Sequence, residues 1–358
     1  MDTWSRASRV LCIRLDGLGD VLMTSPALRA VRSSLPGRQL TLLTSPAGAA
    51  IGRLLPEADQ VLAYAAPWVK ASPSRVRGWD LDRRWIHRLR RGRFDAAVIF
   101  TTYTQSPLPA ALLCSLADIP LRLAHCRENP YQLLTTWVHE PDTARGPRHE
   151  VRRQLDLVAA VGCVTRDERL SRPEVSERAR RRLAARLQRL GLDQCHDWVL
   201  IHPGATAASR RYRPAGFAAA ADHLVARMGC RIIFAGGESD VDLVESIRAS
   251  MHASSASLAG RLDLAELVAL MERAPVVIAN NSGPAHIAAA VGAPVVDLYA
   301  LTNPQHTPWQ VACRVLSHPV PCRGCLRSEC PLGHNDCLQR VAPEAVAEAA
   351  RELLQESR

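Results

Sequence analysis

The sequence predicts an α/β protein built from two Rossmann-like domains, and three observations carry that expectation. First, short apolar runs recur along the chain, and each runs into a polar turn bearing glycine. Arg9 to Leu15 precedes Asp16-Gly17-Leu18-Gly19-Asp20, Trp198 to Ile201 precedes His202-Pro203-Gly204, and Pro275 to Ala279 precedes Asn280-Asn281-Ser282-Gly283-Pro284. Such runs read as buried parallel strands, and strand–turn–helix–strand alternation reads as βαβ units. Second, 358 residues is long for one domain and comfortable for two. Third, a charged stretch from 165 to 195 separates two series of such units. The domains are accordingly expected at 1–175 and 190–340, with a final helix over 341–358.

In the first half, the amphipathic stretch VLMTSPALRAVRSSL follows the first strand as a helix. Leu40 to Thr44, Val61 to Tyr64, Ala96 to Phe100 and Pro120 to Ala124 read as further strands. A helix is expected near Leu108 to Leu116, and HEVRRQLDLVAAVG closes the half as another. The second half reads as a strand at Trp198, a helix near Pro214 to Met228, the strand RIIF and a helix near Val241 to Met251. DLAELVALMERA is a further helix. The unit Ala274 to Gln305 then gives a strand, a helix over Ala285 to Val291 ended by Gly292, and a strand over Pro294 to Leu298.

Ligands of open α/β sheets sit outside the carboxyl ends of the strands, so the chemistry is sought in the turns. Asp20 follows a turn glycine and opens a helix, which suits either a cap or a carboxylate presented to a ligand. Asp16, Gly17 and Gly19 share that turn. In HPGATAASRRYRPAGF, Thr206 and Ser209 supply hydroxyls, and Arg210 supplies a guanidinium suited to two-point contact with phosphate oxygens. Asn281, Ser282, Gly283 and His286 surround a helix start whose first N–H groups lack intrahelical partners, a ready anion site. FAGGESD places Glu238 after a glycine pair, where it either caps a helix or lies near a ligand.

NNSGPAHIAAAVGAPVVDLYA resembles the diphosphate-binding segment of glycosyltransferase family 9, the ADP-heptose:lipopolysaccharide heptosyltransferases. The usual pattern is Asp-(Ser/Thr)-Gly-(Pro/Leu)-x-His, and Asn281 stands where the family has Asp. RLDGLGDVLMTSPALRA resembles the signature Gly-Asp-(Val/Ile)-Leu-x-(Thr/Ser)-x-Pro, and residues 203–213 resemble the family's Pro-Gly loop, with Arg210 in place of a diphosphate-binding Lys. The resemblance implies the GT-B architecture, two Rossmann-like domains with parallel sheets facing an interdomain cleft, and a last helix that crosses back to the first domain. It implies an inverting transfer of heptose from ADP-heptose to an acceptor hydroxyl, with Asp20 as general base. It also implies a donor-binding set of Thr206, Ser209, Arg210, Glu238, Asn281, Ser282, Gly283 and His286. The acceptor would be a glycolipid such as lipopolysaccharide, another glycan or a protein. A nucleotide-sugar epimerase and a non-catalytic nucleotide-sugar-binding subunit are the rival readings, the second encouraged by Asn281.

Composition narrows the setting. No run of eighteen apolar residues appears and the N-terminus shows no signal-peptide pattern, so a cytoplasmic location is expected. A net charge of +10, carried almost wholly by arginine, favours anionic partners. No nucleic-acid reader motif is present, so no nucleic acid is expected as partner. The basic, tryptophan-bearing stretch at residues 75–93 reads as a solvated helix face or as peripheral contact with the inner membrane. Cys322, Cys325, Cys330 and Cys337 have the spacing C-x2-C-x4-C-x6-C. That spacing suits a structural zinc or iron held by four thiolates, and buried free thiols are the alternative. No cofactor is expected for catalysis, because guanidinium and helix-terminal N–H groups can carry the diphosphate charge.

Overall fold

The computed structural model of the chain describes residues 3–69, 79–140, 148–192 and 197–356. The chain divides into two compact units, Met1–Ser171 and Arg172–Arg358. The first contains β1 (Arg9–Arg14), β2 (Gln39–Thr44), β3 (Gln60–Ala63), β4 (Ala96–Ile99), β5 (Leu121–Cys126) and β6 (Thr136–His139). These pair in the order β3-β2-β1-β4-β5-β6, every neighbour parallel. The second contains β7 (Trp198–His202), β8 (Arg231–Phe234), β9 (Ala256–Ser257), β10 (Val277–Asn280), β11 (Val295–Leu298) and β12 (Cys313–Leu316). Their order is β12-β11-β10-β7-β8-β9, again all parallel.

Both sheets are doubly wound. In each, the chain moves outward on one side of the first strand and then returns to its other side. The reversal falls between β1 and β4 in the first unit and between β7 and β10 in the second. At such a reversal the neighbouring turns splay apart and leave a crevice for a ligand. The central strands are buried on both faces, which is why they read as continuous apolar runs. Leu11, Ile13, Tyr64 and Ile99 belong to the core of the first unit, and Phe217, Phe234, Val244 and Ile278 to that of the second.

From Arg172 on, the charged stretch read as the domain boundary takes its place in the second unit, and the expectation for the last helix is corrected. The helix Glu177–Arg189 belongs to the second unit, where Arg180 pairs with Glu272 and Arg186 with Glu266, both on the helix Leu264–Arg273. The last helix, Pro343–Glu356, also packs within the second unit, on Pro214–Met228, β11 and β12. Its apolar stripe of Val346, Ala347, Ala350 and Leu353 enters the second core. Tyr212 fixes the approach by donating its hydroxyl to the Val341 carbonyl at 2.7 Å. The strands β6 and β12 were not expected: both are edge strands, only half buried, and show no apolar run. Within the basic segment the helix Trp79–Gly92 forms, whereas residues 70–78 lie outside the described residues.

Candidate active site

In the first unit, β1 ends in a buried arginine. Arg14 is 0% exposed, and a buried guanidinium is tolerated only when it is fully paired. Its Nε meets Asp16 at 2.9 Å, Nη2 meets Asp20 at 3.0 Å and Nη1 meets Glu150 at 2.9 Å. Asp20 is the third residue of the helix Leu18–Ser33, whose N-cap is Gly17. Its other oxygen accepts the Gly17 N–H at 3.2 Å. The carboxylate is therefore held at both oxygens while its side chain stays 24% exposed, at the reversal between β1 and β4. Each carboxylate oxygen has a second lone pair, so the ties leave room to accept a proton.

Asp16 is more enclosed. Burial pushes its carboxyl up to about 6, against the opposing pull of Arg14. Gln105, on the loop after β4, donates to it at 2.6 Å. Beside this pair lies a cavity of about 300 Å³ lined by Leu15, Asp16, Trp68, Phe100, Thr104 and Gln105, among others. Its mixture of aromatic walls and polar groups suits a sugar. Gly17 itself shows no close neighbour that a Cβ would strike, so the turn does not depend on it sterically.

In the second unit, the turns after β7 and β10 lie side by side at the other reversal. Asn280, the last residue of β10, joins them. It donates to the Pro203 carbonyl at 2.7 Å and accepts from the Tyr212 N–H at 3.0 Å. Gly204 is needed because a Cβ there would lie 2.4 Å from the Asp240 carboxylate. The helix Gly283–Val291 starts at Ser282, whose side chain makes no cap bond, so no hydroxyl covers the helix start. Ser282 and Gly283 are partly exposed, His286 is buried one turn in, and Arg210 is partly exposed on the 3-10 turn Ala208–Arg210. Thr206 and Glu238 are exposed beside these turns.

One expected phosphate contact is corrected. Ser209 is 2% exposed and donates its hydroxyl to the Arg327 carbonyl at 2.9 Å, while its N–H donates to the Ser328 carbonyl at 3.0 Å. Its N–H and its hydroxyl hydrogen are both spent on anchoring a loop. Sequence reading also missed four residues: Arg14, Asn280, Asp240 and Asp297. Asp240 is legible in hindsight, since it follows Gly237 by three residues and accepts that glycine's N–H at 2.9 Å. Asp297, in β11, is 0% exposed, and burial pushes its carboxyl up to about 7.

After β12, Cys322, Cys325 and Cys330 lie in an irregular loop, and Cys337 lies on the short helix Asp336–Gln339. Burial raises the Cys337 thiol, and the other three cysteines push it the same way. Gly324 and Gly333, both with positive φ, turn the chain back after Cys322 and Cys330. Among the described residues no three ligand-type side chains are gathered closely enough to hold an ion.

Two doubly wound parallel units, each with polar turns at its switch point, are the architecture of GT-B nucleotide-sugar transferases. Residues 83–335 match the model of glycosyltransferase family 9 (heptosyltransferase), and the chain belongs to that family. It is 26% identical to lipopolysaccharide heptosyltransferase 3 of Escherichia coli over 82% of this chain and 83% of that protein. It is 33% identical to the lipopolysaccharide core heptosyltransferase OpsX of Haemophilus influenzae over 111 residues, 30% of this chain and 32% of that protein. The structure of the E. coli ADP-heptose lps heptosyltransferase II superposes with a TM-score of 0.76 at 21% identity, covering 97% of this chain and 99% of that one.

Proposed function

We propose that this glycosyltransferase moves heptose from ADP-heptose to an acceptor hydroxyl of the lipopolysaccharide core, with inversion at the anomeric carbon. The observation that carries the reading is the Asp20 carboxylate, clamped by Arg14 and the Gly17 N–H at a sheet reversal yet open to solvent on one side. Asp20 takes the proton of the acceptor hydroxyl, and the freed oxygen attacks the anomeric carbon. The bond to the diphosphate breaks, and the leaving charge is met by Arg210 and by the N–H groups at the start of Gly283–Val291. Ser282, Gly283 and His286 line that start, and Thr206 and Glu238 flank it as further donor contacts. Asp16, Gly17 and Gly19 shape the acceptor-side turn, and the cavity beside Asp16 receives the acceptor sugar. The chemistry asks for no metal.

Two further assignments go with this reading. The four cysteines hold a structural zinc or iron. The donor set supports it: Cys330 lies below the ordinary thiol range, because backbone N–H groups of 335, 332, 333 and 334 outweigh its slight burial. The chain also works at the inner face of the cytoplasmic membrane, where a glycolipid acceptor resides; no helix among the described residues is long and apolar enough to cross it. The test of the main reading is a donor screen with purified protein and lipopolysaccharide core acceptor, following release of nucleoside diphosphate. ADP-heptose should turn over fastest; ADP release without glycosylated acceptor, or a product epimerised at the sugar, would replace the transferase reading.

A further inference from the structure

Among the buried carboxylates that the mechanism leaves unused, Glu57, Glu140 and Glu266 face arginines, and Asp297 has no ion pair among the described residues. Asp297 lies in β11, in register with Ala279 of β10 and Val315 of β12. Its neighbours in the strand are Val295, Val296 and Leu298, all 0% exposed. A carboxylate in such a strand is costly, and an aliphatic side chain would fit at less expense. The cost is visible: among the described residues its Oδ1 has no partner, and burial holds the proton on to about pH 7.

The hydrogen bond it does make explains its presence. Asn281 Nδ2 donates to Asp297 Oδ2 at 3.2 Å and to the His306 carbonyl at 2.7 Å. Both partners are acceptors, so the amide has one orientation, with its amino group turned inward. Both N–H bonds are spent there. Oδ1 is left without a partner among the described residues, on the residue that precedes the helix start at Ser282. The family pattern has Asp here, a group that only accepts. An Asn with its amino group tied down behaves the same way.

We propose that Asp297 is a positioning residue for donor recognition: it locks the Asn281 amide so that only the carbonyl oxygen is offered to a hydroxyl of the donor sugar. The inference rests on the donor reading above and deepens it. Among the described residues, the charged and titratable groups around Asp297 include Arg210 from the 3-10 turn, Tyr299 just past the strand end, Cys313 of β12, and His306, which shares the Asn281 amide through its carbonyl. Arg210 is the cation that acts on Asp297, which ties the lock to the arginine assigned to the diphosphate.

Calorimetry with ADP and with ADP-heptose on wild type, Asp297→Val and Asp297→Asn tests this. In Asp297→Val the amino group keeps only the His306 carbonyl, so the amide is held at one point instead of two, and ADP-heptose should bind up to about tenfold more weakly, the loss of roughly one hydrogen bond. ADP should bind as before. Asp297→Asn keeps an acceptor in place and should retain most ADP-heptose affinity. The Val variant should also melt higher than wild type, the opposite of what a stabilising role predicts. Its advantage should grow between pH 5 and 7, because over that range the unfolded chain has released the Asp297 proton and the folded one still holds it. Unchanged discrimination between ADP-heptose and ADP in Asp297→Val overturns the inference alone. Equal losses for both ligands overturn it as well, being the mark of a distorted domain. A wild type that does not distinguish the two ligands overturns the donor reading and this inference together.

Discussion

At the scale of single residues, the first unit's chemistry depends on how one arginine is shared. Arg14 faces Asp16, Asp20 and Glu150 at once, so it fixes Asp20 in place without neutralising the whole cluster. Asp20→Asn keeps the size and can still accept the Gly17 N–H, so the turn should persist. Turnover should fall at least about a hundredfold, the usual share of a positioned base. ADP binding should be unaffected. Near-normal turnover would remove Asp20 from the role. Asp20 was legible in the sequence because turn glycine, helix start and acid are consecutive. Arg14, Asn280 and Asp297 were not, because each sits in or at the end of an apolar strand, and the first two act through partners far along the chain. Glu150 is 136 residues from Arg14, and Pro203 is 77 from Asn280. Periodicity and local spacing carry no information about such pairs. Ser209 shows the converse: its place in the loop predicts a ligand contact, and only tertiary structure reveals that it faces inward.

At the scale of elements, two pieces can be tested separately. The helix Trp79–Gly92 exposes Arg83, Arg84, His87, Arg88 and Arg91. Its last turn meets the helix Leu108–Leu116, where Arg90 donates to the Leu116 carbonyl at 2.7 Å. On that neighbour Leu112 and Leu116, one turn apart, are 47% and 42% exposed. Arginines beside a pair of bare leucines favour an anionic lipid surface over a purely charged partner. Vesicles rich in phosphatidylglycerol should therefore sediment the protein, and phosphatidylcholine vesicles should not. Reversing Arg83, Arg84 and Arg91 to Glu should cost at least about tenfold in binding, given about 1 kcal/mol per cation near such a surface. Loss on charge reversal but none in Leu112→Ser/Leu116→Ser would point to a soluble polyanion. For the cysteine loop, purified protein should carry about one equivalent of zinc or iron, as a four-thiolate site requires. Cys322→Ser should lower both metal content and melting temperature; metal-free protein of unchanged stability would return the cluster to plain thiols.

At the scale of the whole molecule, the doubly wound character of both halves was legible because parallel strands buried on two faces leave unbroken apolar runs. The edge strand β3 was legible too, but β6 and β12 were not, since they are half buried and have no such run. The last helix was expected on the first unit and packs in the second, where its stripe meets Phe217 and Leu224 of the same core. An amphipathic stripe states that a helix must be covered and does not state by what. One small feature joins distant parts of the second unit. Through its N–H and hydroxyl, Ser209 binds the carbonyls of Ser328 and Arg327, so the turn carrying Arg210 and the cysteine loop are sewn together at two points. Thermodynamic coupling of that kind runs both ways. Whatever disorders the cysteines, oxidant or chelator, should loosen the grip on nucleotide, and bound nucleotide should in turn shield Cys330 from alkylation, making the thiols a built-in reporter of occupancy.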